Sequence, residues 1–169
     1  MESDKLICNS KDITYDNGYI SLQCENYNIP ETFEIDGETL LKKDAFHVSL
    51  ICVRNILEIK PDIEVEILQH FCNFLQQHEI KFEGFTKEFR LAREGERKSV
   101  VALCKVSNLH KFADYLGEKT GITVEPQPVH VTIYTLQPNV GIGLNSPEEM
   151  EQKSIKIDVP EAVLVPLIQ

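Results

Sequence analysis

The 169-residue chain lacks any apolar run approaching the roughly 18 residues that a membrane-spanning helix needs. Residues 1–5 carry mixed charge and do not lead into a hydrophobic signal segment, so neither membrane insertion nor secretion is expected. The chain also lacks a low-complexity tract or a linker rich in Pro, Gly or Ser. Residues 1–169 are therefore predicted to form one domain.

Basic residues are scarce relative to acidic ones. The chain has 17 Lys and Arg against 27 Asp and Glu, which gives a formal net charge of −10. Proteins that coat long DNA or RNA neutralise many phosphates with basic side chains, so this class of partner is not expected. The net charge does not exclude a pocket that holds one phosphate of a small nucleotide or of an oligonucleotide end.

The five cysteines are odd in number and form no C-x-x-C pair. They are Cys8, Cys24, Cys52, Cys72 and Cys104. Several of them lie within apolar runs, where a reduced cysteine behaves as a small hydrophobic residue. The simplest interpretation is a reduced, cytoplasmic protein without a disulfide framework.

Apolar periodicity and turn signals predict an alternating order of strands and helices. Turns are predicted at Asp16-Asn17-Gly18, Asp36-Gly37 and Glu94-Gly95-Glu96-Arg97. Extended segments are predicted over residues 45–53, 81–93, 98–106, 129–136, 155–159 and 162–168. Helices are predicted over residues 63–78, from the Asn108 cap to Gly121, and over residues 146–152. This order predicts an α+β domain made of two loosely similar halves.

The two most β-prone runs share one local pattern. The first reads Phe-His-Val-Ser-Leu at residues 46–50, and the second reads Val-His-Val-Thr-Ile at residues 129–133. Side chains alternate between the faces of a strand, so His47 shares a face with Ser49, and His130 shares a face with Thr132. The apolar positions between them are expected to face the core. Two such strands beside one cleft would supply two imidazoles and two hydroxyls.

This set of side chains suits hydrolysis of a phosphodiester without a metal ion or cofactor. A neutral histidine can take a proton from water, and a protonated histidine can give one to the leaving oxygen. The two hydroxyls can donate hydrogen bonds to non-bridging phosphate oxygens. The alternative is that both histidines are ordinary strand residues, because a single H-x-[ST] motif is common. Its repetition 83 residues later in a similar context favours the catalytic interpretation.

The sequence resembles the 2H phosphoesterase superfamily, whose members carry two H-h-[ST]-h motifs in which h is hydrophobic. The matching residues are 47–50 and 130–133, and the order of elements extends the resemblance over roughly residues 40–145. The resemblance implies a bilobal α+β fold with two pseudo-symmetric antiparallel-sheet halves, flanking helices and a central cleft. It also implies that His47 and His130 are the catalytic acid and base, and that Ser49 and Thr132 bind phosphate.

The implied activity is hydrolysis of a 2′,3′-cyclic phosphate or a 2′-5′ linkage of a nucleotide or RNA end. Relatives include RNA 2′,3′-cyclic phosphodiesterases, also called 2′-5′ RNA ligases, and enzymes that cleave 2′-5′ oligoadenylates. The resemblance favours His130 as the base and His47 as the acid, although a substrate bound in reverse would exchange the roles. Two alternatives remain: a phosphodiesterase for cyclic oligonucleotide signals, and a non-catalytic nucleotide-binding module with the same cleft.

Three further predictions concern residues around the motifs. Tyr134 continues the alternation after the second motif, so it is expected on the cleft face, either contacting substrate or forming a wall. Several bacterial relatives carry an Arg after this motif, and here Arg90, Arg93 or Lys98 is the expected source of positive charge. Cys52 lies an odd number of residues after the first histidine, so it is expected to face the core and is rejected as a nucleophile.

Overall fold

The computed structural model describes residues 5–168 of the chain, which form strands and helices in mixed order. The strands are β1 (Ile13–Asp16), β2 (Tyr19–Gln23), β3 (Thr32–Ile35), β4 (Glu38–Lys42), β5 (His47–Cys52), β6 (Phe82–Glu94), β7 (Arg97–Val106), β8 (His130–Thr135) and β9 (Ser154–Ile157). The helices are α1 (Val53–Ile59), α2 (Glu64–Leu75), α3 (Leu109–Thr120), α4 (Pro147–Lys153) and α5 (Glu161–Ile168). Within the described range, no helix has the length and apolar character needed to cross a membrane.

The strands join in one large antiparallel sheet, which confirms the predicted α+β class. Its main path runs β1-β2-β5-β8-β7-β6-β9, and the β3–β4 hairpin attaches to it through β4 and β8. The two motif strands, β5 and β8, are therefore neighbours at the centre of the sheet, although about 80 residues separate them in sequence. This pairing positions the site.

Tight turns connect the N-terminal hairpins at the predicted places. Asn17 and Gly18 between β1 and β2 have φ values of 52° and 81°, and Asp36 and Gly37 between β3 and β4 have 53° and 76°. Two central residues with positive φ match the twist of the flanking strands, and Asn-Gly and Asp-Gly tolerate this conformation best. The local sequence thus fixes both hairpins.

The two faces of the sheet are packed differently. On one face, helices α2 and α3 close the main core, where the ring of Phe112 lies 5.0 Å from Phe71 and 5.4 Å from Phe74 between centroids. On the other face, a small second cluster packs the segment before α4, and α4 itself, onto β6 and β7. It consists of Ala92, Val101, Ile142, Leu144 and Met150. The motif histidines lie on this second face.

One predicted extended segment is a helix instead. Residues 162–168, expected to be extended, form most of α5, so this prediction is wrong. The β-branched valines suggested a strand, but the buried residues Val163 and Leu167 are four apart, which is the spacing of a helix face. The Pro160 carbonyl accepts the first hydrogen bonds of the helix. Tertiary packing therefore overrides β propensity here.

The cysteines are not all reduced, contrary to the expectation from sequence. Cys8 and Cys72 form a disulfide bond, whereas Cys24, Cys52 and Cys104 are free. The bonded pair is 64 residues apart in sequence. Only the folded chain brings the N-terminal segment against α2, so no local cysteine pattern could have indicated this bond.

Candidate active site

The four motif side chains line one cavity of about 890 Å³. They are His47 and Ser49 from β5, and His130 and Thr132 from β8. Each is half-buried, while the valine between each pair is fully buried in the main core. The two strands have the same pattern of burial residue by residue. The structure therefore brings together all four residues that the sequence grouped, on the face that alternation predicts.

Direct pairing of β5 and β8 sets the spacing of these groups. The two strands pair antiparallel through the valines that lie between the motif residues. Continuing this register by one residue puts His47 opposite Thr132, and Ser49 opposite His130. Residues directly opposite in an antiparallel pair have Cβ atoms about 4.5–5.5 Å apart. Each imidazole consequently has the hydroxyl of the neighbouring strand beside it.

A backbone carbonyl fixes the protonation of the His130 ring. The Nδ1 atom lies 2.6 Å from the Pro128 carbonyl oxygen, which can only accept a hydrogen bond. Nδ1 therefore carries the hydrogen, and in the neutral ring Nε2 holds a free lone pair. Burial lowers the pKa of His130, and the bond to Pro128 opposes this shift. His130 is accordingly a neutral base near pH 7.

His47 is also neutral near pH 7 in the free protein. Burial is the largest cause that lowers its pKa to about 4; the Lys43 ammonium and the neighbouring His130 act in the same direction, and Asp16 opposes the shift. An anion placed next to the ring would favour the protonated form and raise this pKa. His47 is therefore expected to take up a proton when an anionic ligand binds beside it.

The expected sources of positive charge do not line the cavity, so that prediction is wrong. Arg93 and Lys98 pair with carboxylates of the β3–β4 hairpin. Arg90 lies under α4, where its Nε atom donates to Ser154 Oγ at 2.8 Å. The sequence identified basic residues on the predicted long hairpin but could not show which face of the β6–β7 hairpin each one occupies.

Other cations line the cavity. The charged lining residues are Lys5, Lys43, Arg54 and Arg97, with Asp16 and Asp44. Four cations against two carboxylates leave the lining with an excess of positive charge, although the whole chain carries −10. Arg97 and Lys98 lie on opposite faces of β7, because side chains alternate along a strand. Arg97 shares the face of Val101, which is paired with Thr132 on the cavity side. The cavity can therefore attract an anionic ligand.

Tyr134 does not face the cavity, contrary to the prediction. An irregularity in the β7–β8 pairing follows Thr132, so alternation shifts by one residue at that point. Tyr134 is fully buried in the main core, its ring lies 5.2 Å from that of Phe33, and its hydroxyl donates to the Pro30 carbonyl at 2.6 Å. It is a core residue and not part of the cavity lining.

The same irregularity occurs in β5. The register with β2 shifts after Ser49, so that Leu50 is an extra residue and Cys52 lies opposite Tyr19. Cys52 therefore lies on the Tyr19 side of the sheet and not on the opposite face, as strict alternation from His47 predicted. Cys52 is nevertheless buried, with only 5% of its surface exposed, and does not line the cavity. Its rejection as a nucleophile stands on burial instead.

Several cavity residues were missed by sequence analysis. Tyr19 and Asn145 are hydrogen-bonded to each other, and Gln127 Nε2 donates to Asn145 Oδ1 at 3.3 Å. The Arg54 guanidinium lies 5.5 Å from the centre of the Tyr19 ring. These residues come from a hairpin, a helix and two loops, so no local spacing connects them. Within residues 5–168, no three His, Cys, Asp or Glu side chains are grouped in a way that could hold a metal ion.

Comparison with known proteins provides no assignment for this cavity. No family model matches the chain, and no curated protein or solved structure matches it either. The chemical role of the cavity therefore rests on its own side chains, their protonation and their positions.

Proposed function

We propose that the protein is a metal-independent phosphodiesterase that hydrolyses a 2′,3′-cyclic phosphate or a 2′-5′ linkage of a nucleotide or RNA end. One observation carries the proposal: two His-x-hydroxyl pairs from adjacent central strands line a single cavity. A soluble ligand of nucleotide size fits a volume of about 890 Å³. The excess of cations in the lining suits a phosphate.

The reaction follows from the protonation of the two imidazoles. His130 Nε2 accepts a proton from water as the water oxygen forms a bond to phosphorus. The bond between phosphorus and the leaving oxygen breaks, and protonated His47 gives that oxygen a proton. Ser49 and Thr132 donate hydrogen bonds to the non-bridging oxygens, where negative charge increases. His130 ends protonated and His47 neutral, so transfer of one proton through solvent restores the starting state.

The proposed assignment to the 2H phosphoesterases includes a bilobal, pseudo-symmetric arrangement. Its support is local: β5 and β8 have identical burial patterns, and an irregularity in pairing follows the hydroxyl residue in each. Both strands also lie beside one another at the centre of the sheet. Equivalent strands related by an approximate twofold axis would account for these matches.

A second candidate is a non-catalytic nucleotide-binding module. One observation favours it: burial lowers the pKa of both histidines, so neither is cationic near pH 7 before a ligand binds. A cavity with neutral imidazoles and surrounding cations could hold a nucleotide without protonating a leaving oxygen. Turnover distinguishes this candidate from the phosphodiesterase.

The test is a hydrolysis assay in EDTA with 2′,3′-cyclic nucleotides, 2′-5′ oligoadenylates and cyclic dinucleotides. We expect turnover of at least one class, and its identity also distinguishes RNA-end processing from cleavage of cyclic oligonucleotide signals. His110→Ala is the matched control, because His110 is exposed on α3 and does not line the cavity. Binding of these ligands without turnover would support the module, and complete loss of turnover on chelation would contradict a metal-independent reaction.

A further inference from the structure

The cavity has two chemically different ends, because β5 and β8 run antiparallel beneath it. Where β5 begins and β8 finishes, the lining residues are Lys43, Asp44, Arg97 and Asn139. Where β5 finishes and β8 begins, they include Tyr19, Arg54, Gln127 and Asn145. The first end has two cations and one carboxylate, and the second has one cation, an aromatic ring and amides. His47 is on the side of the first end, and His130 is on the side of the second.

Lys43 at the first end is a half-buried cation that makes no salt bridge within the described residues. Its backbone N–H donates to the Ile133 carbonyl at 3.0 Å, which fixes it against β8. Burial lowers the pKa of the ammonium group, and the neighbouring Asp44 carboxylate opposes this shift only in part. A cation that has lost water without forming a salt bridge is costly, and an anionic ligand would offset that cost.

The adjacent carboxylate is already engaged. Asn139 Nδ2 donates to Asp44 Oδ2 at 2.8 Å, and the Asp44 backbone N–H donates to Asn139 Oδ1 at 3.1 Å. These two bonds close the loop before β5 onto the loop after β8. Asp44 therefore serves as a structural link between the two loops, and Lys43 remains available to a ligand.

Arg97 provides a second cation at this end. It begins β7, and the register of Ser99 with Thr135 brings the start of β7 next to the end of β8. Arg97 is exposed, lines the cavity and makes no ion pair within the described part of the chain. A guanidinium and an ammonium at the same end of the cavity form a suitable site for a phosphate group.

We propose that Lys43 and Arg97 bind a second phosphate of the ligand, distinct from the phosphate held between the two histidines. The inference rests on the proposed function, because it takes the histidine pair as the position of the scissile phosphate. Lys43 precedes His47 by four positions in the sequence, so their Cα atoms are at most about 14 Å apart. One nucleoside can join phosphates at these two positions. The preferred substrate is therefore a nucleotide with a further phosphate on the His47 side, as in an oligonucleotide or a cyclic dinucleotide.

The test measures equilibrium binding, so it does not depend on turnover. Isothermal titration calorimetry compares adenosine 3′,5′-bisphosphate with 5′-AMP and 3′-AMP at pH 7 and constant ionic strength. We expect the wild-type protein to bind the bisphosphate at least 10-fold more tightly than either monophosphate. Lys43→Met and Arg97→Met should each remove most of this preference. Lys42→Met is the matched control, since it removes the same charge from a neighbouring residue that does not line the cavity.

Three results would overturn the inference. They are equal affinity of the wild-type protein for all three ligands, equal weakening of monophosphate and bisphosphate by Lys43→Met, and loss of the preference in Lys42→Met. The second would assign Lys43 to the phosphate between the histidines. A bisphosphate preference without hydrolysis of any diester would overturn the proposed phosphodiesterase activity but not the second phosphate site. Diester hydrolysis without the preference would overturn the second phosphate site but not the activity.

Discussion

The Pro128 carbonyl determines which nitrogen of His130 is available for chemistry. With the hydrogen held on Nδ1 at 2.6 Å from that oxygen, only Nε2 can accept a proton from water. No comparable bond to the ring of His47 is found within residues 5–168, so only one of the two imidazoles is oriented in this way. This difference between otherwise equivalent residues supports the proposal that His130 is the base and His47 the acid.

Removal of either histidine should impair turnover much more than folding. We expect His47→Ala and His130→Ala each to lower kcat by about 10²–10⁴-fold, the usual contribution of one general acid or base. Ser49→Ala and Thr132→Ala should cost about 10–10³-fold, since each removes one donor to the phosphate. Circular dichroism should show native folding in all four variants, because the buried side of each strand is unchanged. A folded double histidine variant with wild-type turnover would contradict the catalytic role.

The pH dependence of kcat/KM should be shifted to the acidic side. The protonated fraction of His47 increases as pH falls towards its lowered pKa of about 4. His130 must remain neutral, and it loses that form as pH falls through its own lowered pKa. These opposite requirements predict a bell-shaped profile with its maximum below pH 6.5, measured between pH 4 and 9. A profile that rises steadily above pH 7 would contradict this pair of roles.

At the scale of single strands, the accuracy of sequence prediction changes within each motif. Alternation correctly assigned the faces of residues 47–49 and 130–132, because an apolar, polar, apolar pattern needs no tertiary information. It failed immediately afterwards at Cys52 and Tyr134, since one extra residue in each strand shifts every later side chain to the other face. Both residues are common in strands, and neither residue type indicates a shift in register.

Tyr134 provides a direct test of this reversal. We expect Tyr134→Phe to lower the free energy of unfolding by about 1–2 kcal/mol, because the Pro30 carbonyl loses a buried hydrogen bond. The turnover number should be unchanged, since the ring does not line the cavity. Urea denaturation and a kinetic assay measure the two effects. Tyr115→Phe is the control, because the Tyr115 hydroxyl makes no hydrogen bond within residues 5–168. Reduced turnover of Tyr134→Phe without lost stability would show that Tyr134 belongs to the site.

At the scale of the whole molecule, the walls of the cavity were beyond prediction. The two motifs could be grouped because they repeat one pattern, but Tyr19, Lys43, Gln127 and Asn145 lie on different elements and share no motif. Their proximity follows from the strand order, in which residues far apart in sequence become neighbours. The disulfide bond between the N-terminal segment and α2 could not be predicted from the sequence for the same reason.

Reduction of that disulfide should destabilise the entire fold. Cys8 and Cys72 close a loop with a sequence separation of 64, and cross-links of this length typically contribute about 2–5 kcal/mol. We therefore expect dithiothreitol to lower the urea midpoint of the wild-type protein. The Cys8→Ser/Cys72→Ser variant should have the same lowered midpoint with and without reductant. An unchanged wild-type midpoint on reduction would contradict this contribution.

The unlike ends of the cavity have a consequence for the identity of the product. Two nearly equivalent histidine strands would accept a symmetric diester in either direction, and each direction would release a different pair of products. Two cations, Lys43 and Arg97, beside His47, and an aromatic ring with amides and one cation beside His130, remove this equivalence, because a nucleotide has a phosphate at one end and a base at the other. In the proposed reaction, only one ester oxygen then lies next to His47, the proposed acid. Hydrolysis should consequently leave the phosphate on a single hydroxyl of the ribose, giving one regioisomer.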